Sequence, residues 1–305
     1  MDDALHPDLA AVLEFHRSQR TAPPAAYAHA AGCIPEVTFF SLARLQEHLN
    51  NPLLTPNWVT LMDNGSSVPL ELATLQKFFE DKKLVFMDKT PIDEHLNRGG
   101  ALVLEGLDIL DPLINAFIAE LDSALPCSLS NCVAFLSQRS TEAYEGHCDA
   151  EDVLAIQVEG EKRWRIFAPQ PRRYVDNALD QAGMGTQIAE IVLRPGDALY
   201  VRAGVPHRCE TVGDHSVHLS IDLCDWTPNI QQITNEANAR YRRESGSPSA
   251  PVAKVTEDYV SLLRSEQFQR DLAAATSHRR NEARLFRQRI GRASGVRALE
   301  RLRPP

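Results

Sequence analysis

The spacing of apolar residues divides the chain into three parts. In the first part, apolar residues recur three or four positions apart, as on one face of a helix, in four segments at residues 1–30, 41–50, 69–80 and 111–125. Shorter apolar runs at residues 58–62 and 101–104 are typical of buried strands. We therefore predict a mixed segment in which helices pack beside a few strands.

The second part, from Cys127 to about Leu223, has a different pattern. Short apolar runs alternate with turn signals, and Arg194-Pro195-Gly196-Asp197 is a strong turn between two of the runs. The runs cover residues 132–136, 153–156, 163–167, 191–193, 198–201 and 217–221. Many short strands separated by turns predict a β-sandwich or a β-barrel.

The third part follows Pro228, where helical spacing returns at residues 230–243 and 255–303 on either side of a linker at 244–251. The pattern predicts a helical arm at residues 1–35, a core at 36–228 and a helical, arginine-rich region at 229–305. Apolar positions in the last region predict either a homodimer interface or docking on the chain's own core. They are Leu262, Leu263, Phe268, Leu272, Leu285 and Phe286.

Composition narrows the class of protein. Hydrophobic residues make up 43% of the 305 residues, which suffices for a buried core and argues against global disorder. The sequence has no apolar run of about 18 residues, so we expect no membrane span. The N-terminus lacks the layout of a signal peptide, so we expect a cytoplasmic protein. The six cysteines form no CxxC pair, which favours free thiols over a disulfide framework or a zinc site.

Charge is distributed unevenly. Residues 231–305 carry 15 Lys and Arg against 8 Asp and Glu, whereas the rest of the chain carries 17 against 33. A basic tail can bind nucleic acid or another acidic partner. These arginines have no interleaved aromatic residues on which bases could stack, so we favour a solvated helix face that docks on the acidic body.

A candidate metal site begins at Gly146-His147-Cys148-Asp149. Side chains two residues apart on a strand share a face, so His147 and Asp149 can converge on one ion. Val205-Pro206-His207 follows a predicted strand and a tight turn, and it supplies a third candidate. Two imidazoles and one carboxylate are the ligands of non-haem iron(II) oxygenases, which keep other positions open. The motif alone is weak, because a strand histidine is more often a core residue.

A longer set of motifs carries a family resemblance. The run Gln157-Val-Glu-Gly-Glu-Lys162-Arg-Trp164 follows the histidine–aspartate pair, with Arg194-Pro-Gly-Asp197 and Gly204-Val-Pro-His207 further on. Residues 101–223 thereby resemble the JmjC/cupin-type oxygenases, specifically their ribosomal-oxygenase branch. The resemblance implies a mainly β core, a double-stranded β-helix (jelly-roll), flanked by N-terminal helices and a C-terminal helical region. It also implies iron(II), with 2-oxoglutarate and O2 as cosubstrates.

The resemblance also implies roles for individual residues. His147, Asp149 and His207 would hold the metal, and Lys162 would bind the distal carboxylate of 2-oxoglutarate. A cation inside a barrel is costly without an anion, which agrees with that role. The alternatives are a surface lysine, or adjacent Arg163 as the true partner. The other expected cosubstrate-lining residues are Asn131, His218 and Ser220, and the last two are about equally well explained as ordinary core residues.

The implied function is hydroxylation of a side chain in a ribosomal protein or a peptide natural-product precursor. The alternatives are a small-molecule or free amino-acid hydroxylase, and a non-enzymatic cupin-like binding protein with an RNA-associating tail. Two regions depart from the family pattern. They are the loop at residues 138–144 and the tail after Pro228, which has no clear strands for a winged helix. Substrate choice is therefore not readable from the sequence.

Overall fold

The computed structural model describes residues 7–21, 25–124, 130–138, 144–169, 181–223, 230–244 and 251–291. The strands are β1 (Tyr27–Ala30), β2 (Val59–Asp63), β3 (Ser66–Val68), β4 (Thr74–Phe79), β5 (Lys82–Met87), β6 (Ala101–Leu104), β7 (Ser130–Gln138), β8 (Asp152–Phe167), β9 (Gln187–Leu193), β10 (Ala198–Val201) and β11 (His207–Leu223). The helices are α1 (Pro7–Thr21), α2 (Leu42–Asn50), α3 (Lys89–Asn97), α4 (Leu107–Leu110), α5 (Pro112–Ala124), α6 (Gln181–Met184), α7 (Ile230–Glu244), α8 (Val252–Arg264) and α9 (Glu266–Gly291).

Nine strands form one sheet in the order β1-β10-β8-β11-β7-β6-β2-β3, and β9 pairs with β8. The long strands β8 and β11 lie at its centre and pair antiparallel along most of their length. β1 pairs with β10, so the predicted N-terminal arm contributes a strand to this sheet. The predicted domain division itself stays a prediction.

Strand β8 joins two runs that the sequence predicts as separate strands. Gly160 lies at the junction with a φ of 65°, a left-handed conformation that favours glycine. A Cβ atom at this position would approach the backbone oxygen of His215 to 2.0 Å. The chain therefore passes β11 closely here, and the register between the two strands shifts between Val212 and Ser216. Beyond Gly160 the strand pairs with β9, which brings Lys162 opposite Leu193.

The main core lies between this sheet and helices α1, α2 and α5. Asp111, just before α5, joins two of these helices. Its carboxylate accepts hydrogen bonds from Arg44 Nε (2.7 Å) and pairs with His48 Nε2 (2.7 Å), both on α2. The amides of Leu113 (2.8 Å) and Ile114 (3.2 Å) also donate to it, which caps α5. Burial raises the pKa of Asp111, but the bonds from His48 and Arg44 outweigh burial and hold the pKa below its usual value.

The predicted helix at residues 69–80 is wrong. Residues Leu70–Ala73 form a short 3-10 helix, and the chain then enters the β4–β5 hairpin. Leu75, Phe78 and Phe79 are 54%, 70% and 59% exposed, so the helical spacing of apolar residues does not mark a buried face here. Glu80 begins the turn with a φ of 52°.

The C-terminal region is helical, as predicted, but it is divided at Ser265 into α8 and α9. Phe268, Leu272 and Ala237 form a small buried cluster between α7 and α9. Residues 245–250 of the predicted linker and the arginine-rich end after residue 291 lie outside the described residues. Among the described helices, none has the length and apolar character needed to cross a membrane.

Candidate active site

The two histidines of the predicted metal site are brought together by their backbones. The amide of His147 donates to the carbonyl of His207 (3.0 Å), and the amide of His207 donates to the carbonyl of His147 (2.9 Å). The carbonyl of Asp149 accepts a bond from the amide of Gly204 (2.8 Å), just before the second histidine. Two distant segments are thus held side by side by three backbone hydrogen bonds.

The side chains of these residues converge on one point. Asp149 Oδ1 lies 3.5 Å from His147 Nε2, and Asp149 Oδ2 lies 3.4 Å from His207 Nε2. All three potential ligand atoms lie within 4.8 Å of one another. The sequence-predicted triad is therefore assembled in the fold, with space for one ion between its members.

The hydrogen bonds of the imidazoles fix which nitrogen faces the ion. His147 Nδ1 lies 2.7 Å from the carbonyl of Glu145, and His207 Nδ1 lies 3.1 Å from the carbonyl of Val205. A carbonyl can only accept, so each Nδ1 donates a proton, and Nε2 is the nitrogen of each ring that is available to a metal. Burial, and then the neighbouring His147, lower the pKa of His207 to about 4. Two imidazoles and one carboxylate are a set of ligands that fits a divalent metal such as iron(II).

The triad lies in a cavity of about 560 Å³. Strands β2, β7, β8 and β11 supply most of the wall. The lining residues are Thr60, Met62, Gly65, Ser67, Glu105, Val133, Phe135, Tyr144, His147, Asp149, Val153, Lys162, Trp164, His207, Cys209, His218, Ser220 and Asp222. Six of the seven sequence-predicted site residues therefore share one cavity.

Lys162 and Arg163 face opposite sides of β8, which separates the two candidate cations. Of the lysines and arginines whose exposure the structure describes, only Lys162 is buried, at 1% exposed. Its Nζ donates to Ser137 Oγ (2.7 Å) and contacts Thr211 Oγ1 (3.4 Å) in the cavity wall. Arg163 instead forms ion pairs with Glu210 and Glu190 on the outer face of the sheet. Of these two cations, Lys162 is therefore the one that an anion inside the cavity can reach.

His218 and Ser220 both line the cavity, as their shared strand parity predicts. The ring of His218 stacks on Phe135, with centroids 4.7 Å apart. Burial, and then Lys162, lower the pKa of His218 well below its usual value, so this imidazole is neutral. Asn131 differs, because it lies at the exposed end of β7 and is not among the described residues that line the cavity. The cosubstrate roles of all three stay predictions.

One wall of the cavity carries acidic residues that the sequence reasoning missed. Burial raises the pKa of Glu105. Burial, and then Asp149 and other carboxylates, raise the pKa of Asp222 to about 7. Tyr144 lies among these groups, and burial followed by Glu105 raises its pKa to about 12. Asp222 has the same strand parity as His218, so alternation along β11 was the signal that could have found it.

The flanking cysteines follow strand alternation. Cys148 is 1% exposed and packs against Phe167 and Met184, away from the triad. Cys209 faces the cavity from β11. Residues 139–143 of the loop that departs from the family pattern lie outside the described residues.

Comparisons with known proteins agree with this geometry. The sequence model of the JmjC domain matches residues 111–232. The bifunctional lysine-specific demethylase and histidyl-hydroxylase NO66 of Drosophila persimilis is 40% identical over 91 residues, which cover 28% of this chain and 13% of that protein. Ribosomal oxygenase 2 of Rattus norvegicus is 33% identical over 99 residues, which cover 31% of this chain and 21% of that protein. The chain thus spans about a fifth or less of these relatives.

A solved structure shows the same fold. It is YcfD, a ribosomal oxygenase from Escherichia coli, in complex with cobalt and 2-oxoglutarate. The TM-score is 0.53 at 15% sequence identity, and the match covers 86% of this chain and 70% of that chain. The predicted JmjC/cupin-type fold and the resemblance to this family are confirmed.

Proposed function

We propose that the chain, whose residues 111–232 match the JmjC domain model, is an iron(II)- and 2-oxoglutarate-dependent oxygenase that hydroxylates a side chain of a protein or peptide. The observation that carries the proposal is the pairing of two features in one cavity. Asp149 lies close to Nε2 of both histidines, and the buried ammonium of Lys162 lies in the wall of the same cavity.

Different residues of the cavity would bind the metal and the cosubstrate. His147, Asp149 and His207 would hold iron(II), and the ammonium of Lys162 would pair with the far carboxylate of 2-oxoglutarate. Iron(II) with 2-oxoglutarate and O2 supplies the oxidation that converts a substrate C–H bond to C–OH, while the cosubstrate becomes succinate and CO2. The rings of Phe135 and Trp164 supply an apolar part of the cavity wall beside the triad.

The acidic wall supports a cationic side chain as the substrate. Glu105 and Asp222 line the cavity beside the triad. Burial, and after it repulsion from other carboxylates, raises the pKa of Asp222, and a positively charged group between the two residues would relieve that repulsion. Asp149, Tyr144 and Asp222 are only partly buried, so the cavity is open to solvent on this side. An open, acidic mouth suits a side chain presented by a basic protein or peptide. The names of the relatives, ribosomal oxygenase and histidyl-hydroxylase, also support a protein side chain as the substrate.

Two measurements test the proposal. The first follows succinate release from 2-oxoglutarate with iron(II) and ascorbate. We expect His147→Ala to abolish it, and full activity of this variant would show that the triad is wrong. The second incubates the enzyme with a peptide library and seeks a gain of one oxygen atom by mass spectrometry. We expect modified peptides to carry it on Arg, Lys or His. Modification of free amino acids only would favour the small-molecule alternative.

We also propose that the C-terminal helices pair two copies of the chain. Helix α8 is amphipathic, yet none of its side chains is buried. Val252 and Val260 on this helix are 82% and 38% exposed. Light scattering should give the molar mass of a dimer, and a double substitution of these valines by serine should give a monomer. A wild-type monomer would contradict this. The cytoplasm is the proposed location, which cell fractionation can test.

A further inference from the structure

Of the aromatic residues described in the cavity, Tyr144 is the one best placed to become a substrate of the site that surrounds it. Its ring contacts the ring of His147, with centroids 5.7 Å apart and planes tilted by 59°. On its other side it meets Phe135 edge-on, at 5.9 Å between centroids. The side chain lines the cavity and is partly exposed to it. An electron-rich phenol thus lies against a residue that holds the metal, inside the space where oxidation takes place.

The neighbouring rings are less suited to oxidation. Trp164 is 3% exposed and packs nearly flat on His207, with planes 25° apart, so one of its faces is covered. Phe135 carries no activating group, and its described ring contacts are with Tyr144 and His218 rather than with the triad. Among the aromatic residues that the structure describes, Tyr144 alone combines contact with a metal-holding ring, access to the cavity and ring C–H bonds activated by an ortho hydroxyl.

We propose that, when no peptide occupies the cavity, the enzyme hydroxylates the ring of its own Tyr144 beside the phenol, which makes residue 144 a catechol. This inference rests on the proposed function, because it uses the same oxidant, O2, and the same cosubstrate, 2-oxoglutarate. One oxygen atom of O2 is inserted into a ring C–H bond, and the ring loses two electrons. The other oxygen atom enters succinate as 2-oxoglutarate loses CO2 and two further electrons. The four electrons reduce O2 completely.

The sequence around Tyr144 makes the product easy to locate. Trypsin cleaves after Arg139 and after Lys162, so Tyr144 lies in the peptide 140–162, which contains no methionine or tryptophan. Its other oxidisable groups are His147 and Cys148, and fragment ions separate both from Tyr144. Met62 and Met184, near the cavity, fall in other peptides and report non-specific oxidation.

The experiment incubates the purified full chain with iron(II), 2-oxoglutarate and isotopically heavy O2 in the absence of peptide, and it measures succinate and the mass of peptide 140–162 separately. We expect one heavy oxygen atom at Tyr144 that depends on 2-oxoglutarate. Tyr144→Phe should lose the modification. Tyr259→Phe, the same change on α8, should keep it.

Two different failures are distinguishable. Succinate release with an unmodified Tyr144 would overturn this inference and leave the proposed function standing, as would oxidation confined to Met62 or Met184. No succinate release from any added substrate would overturn the proposed function itself, and the inference with it.

Discussion

Replacing Lys162 by methionine should separate cosubstrate binding from folding. Methionine has a similar length but no charge, so the variant removes the ammonium from the cavity wall without leaving a large void. Removing one partner of a buried, hydrogen-bonded charge pair typically costs about 2 to 5 kcal/mol of binding free energy. At about 1.4 kcal/mol per tenfold change, the Kd for 2-oxoglutarate should rise by about 30-fold to about 4,000-fold.

The folded protein should tolerate the same change. The hydroxyl of Thr211 donates to Ser137 Oγ at 2.7 Å, so the two hydroxyls that contact the ammonium still satisfy each other in the variant. Burying an ammonium costs desolvation free energy, and an apolar side chain of similar volume does not carry that cost. We therefore expect the Tm of the unliganded protein to stay the same or to rise.

Anaerobic calorimetric titration of the iron(II)-loaded protein with 2-oxoglutarate measures the effect. Arg163→Met is the matched control, since the adjacent cation faces the outer side of β8 and pairs with Glu210. It should bind 2-oxoglutarate as the wild type does. Unchanged affinity in Lys162→Met, or a larger loss in Arg163→Met, would refute the assignment of the lysine.

Three further predictions concern charge and metal. If Asp222 binds a cationic side chain, KM for a basic peptide should fall as pH rises through about 7, where this carboxyl ionises. Asp222→Asn should flatten the dependence of KM on pH. If KM depends on pH in the variant as it does in the wild type, Asp222 does not bind the substrate's charge. Asp111→Ala should lower the free energy of unfolding in urea by about 3 kcal/mol, the lower end of the range for a broken buried ion pair because Arg44 is partly solvated. Because the pKa of Asp111 is held below its unfolded value of 3.8, its contribution is present above that pH and is lost as pH falls below it, so acid should destabilise the wild type more than the variant. Iron(II) at about 100 times its Kd should stabilise the protein by about 2.7 kcal/mol in thermal unfolding, and a similar shift in His207→Ala would place the metal elsewhere.

Strand alternation explains why the site was largely predictable. The two-residue period of β8 places Lys162 inside and Arg163 outside, and that of β11 places His218 and Ser220 together. The pairing of His147 with His207 needed more than periodicity, because their segments lie far apart in sequence. Asn131 was predicted to line the cavity from the family resemblance alone. Strand parity could not test that prediction, because it tells which face of the sheet a residue lies on and not how far along the strand it lies.

The remaining errors have physical causes as well. The helical spacing at residues 69–80 arose from Leu75, Phe78 and Phe79, which are exposed on a hairpin, so no buried face imposed the period. The division between α8 and α9 falls at Ser265, where no glycine or proline marks a break. The acidic wall was missed because Glu105 and Asp222 are distant in sequence, and only the folded sheet brings them to one cavity.

The central claim is that His147, Asp149 and His207 hold a catalytic iron(II). The most direct test measures bound iron and succinate release in the same samples of wild type, Asp149→Ala and Glu161→Ala. Glu161 is a partly exposed acidic residue of β8 that pairs with Arg194, outside the triad. We predict one iron per chain with succinate release in the wild type and in Glu161→Ala, and loss of both in Asp149→Ala. Iron binding and succinate release that persist in Asp149→Ala would contradict the claim.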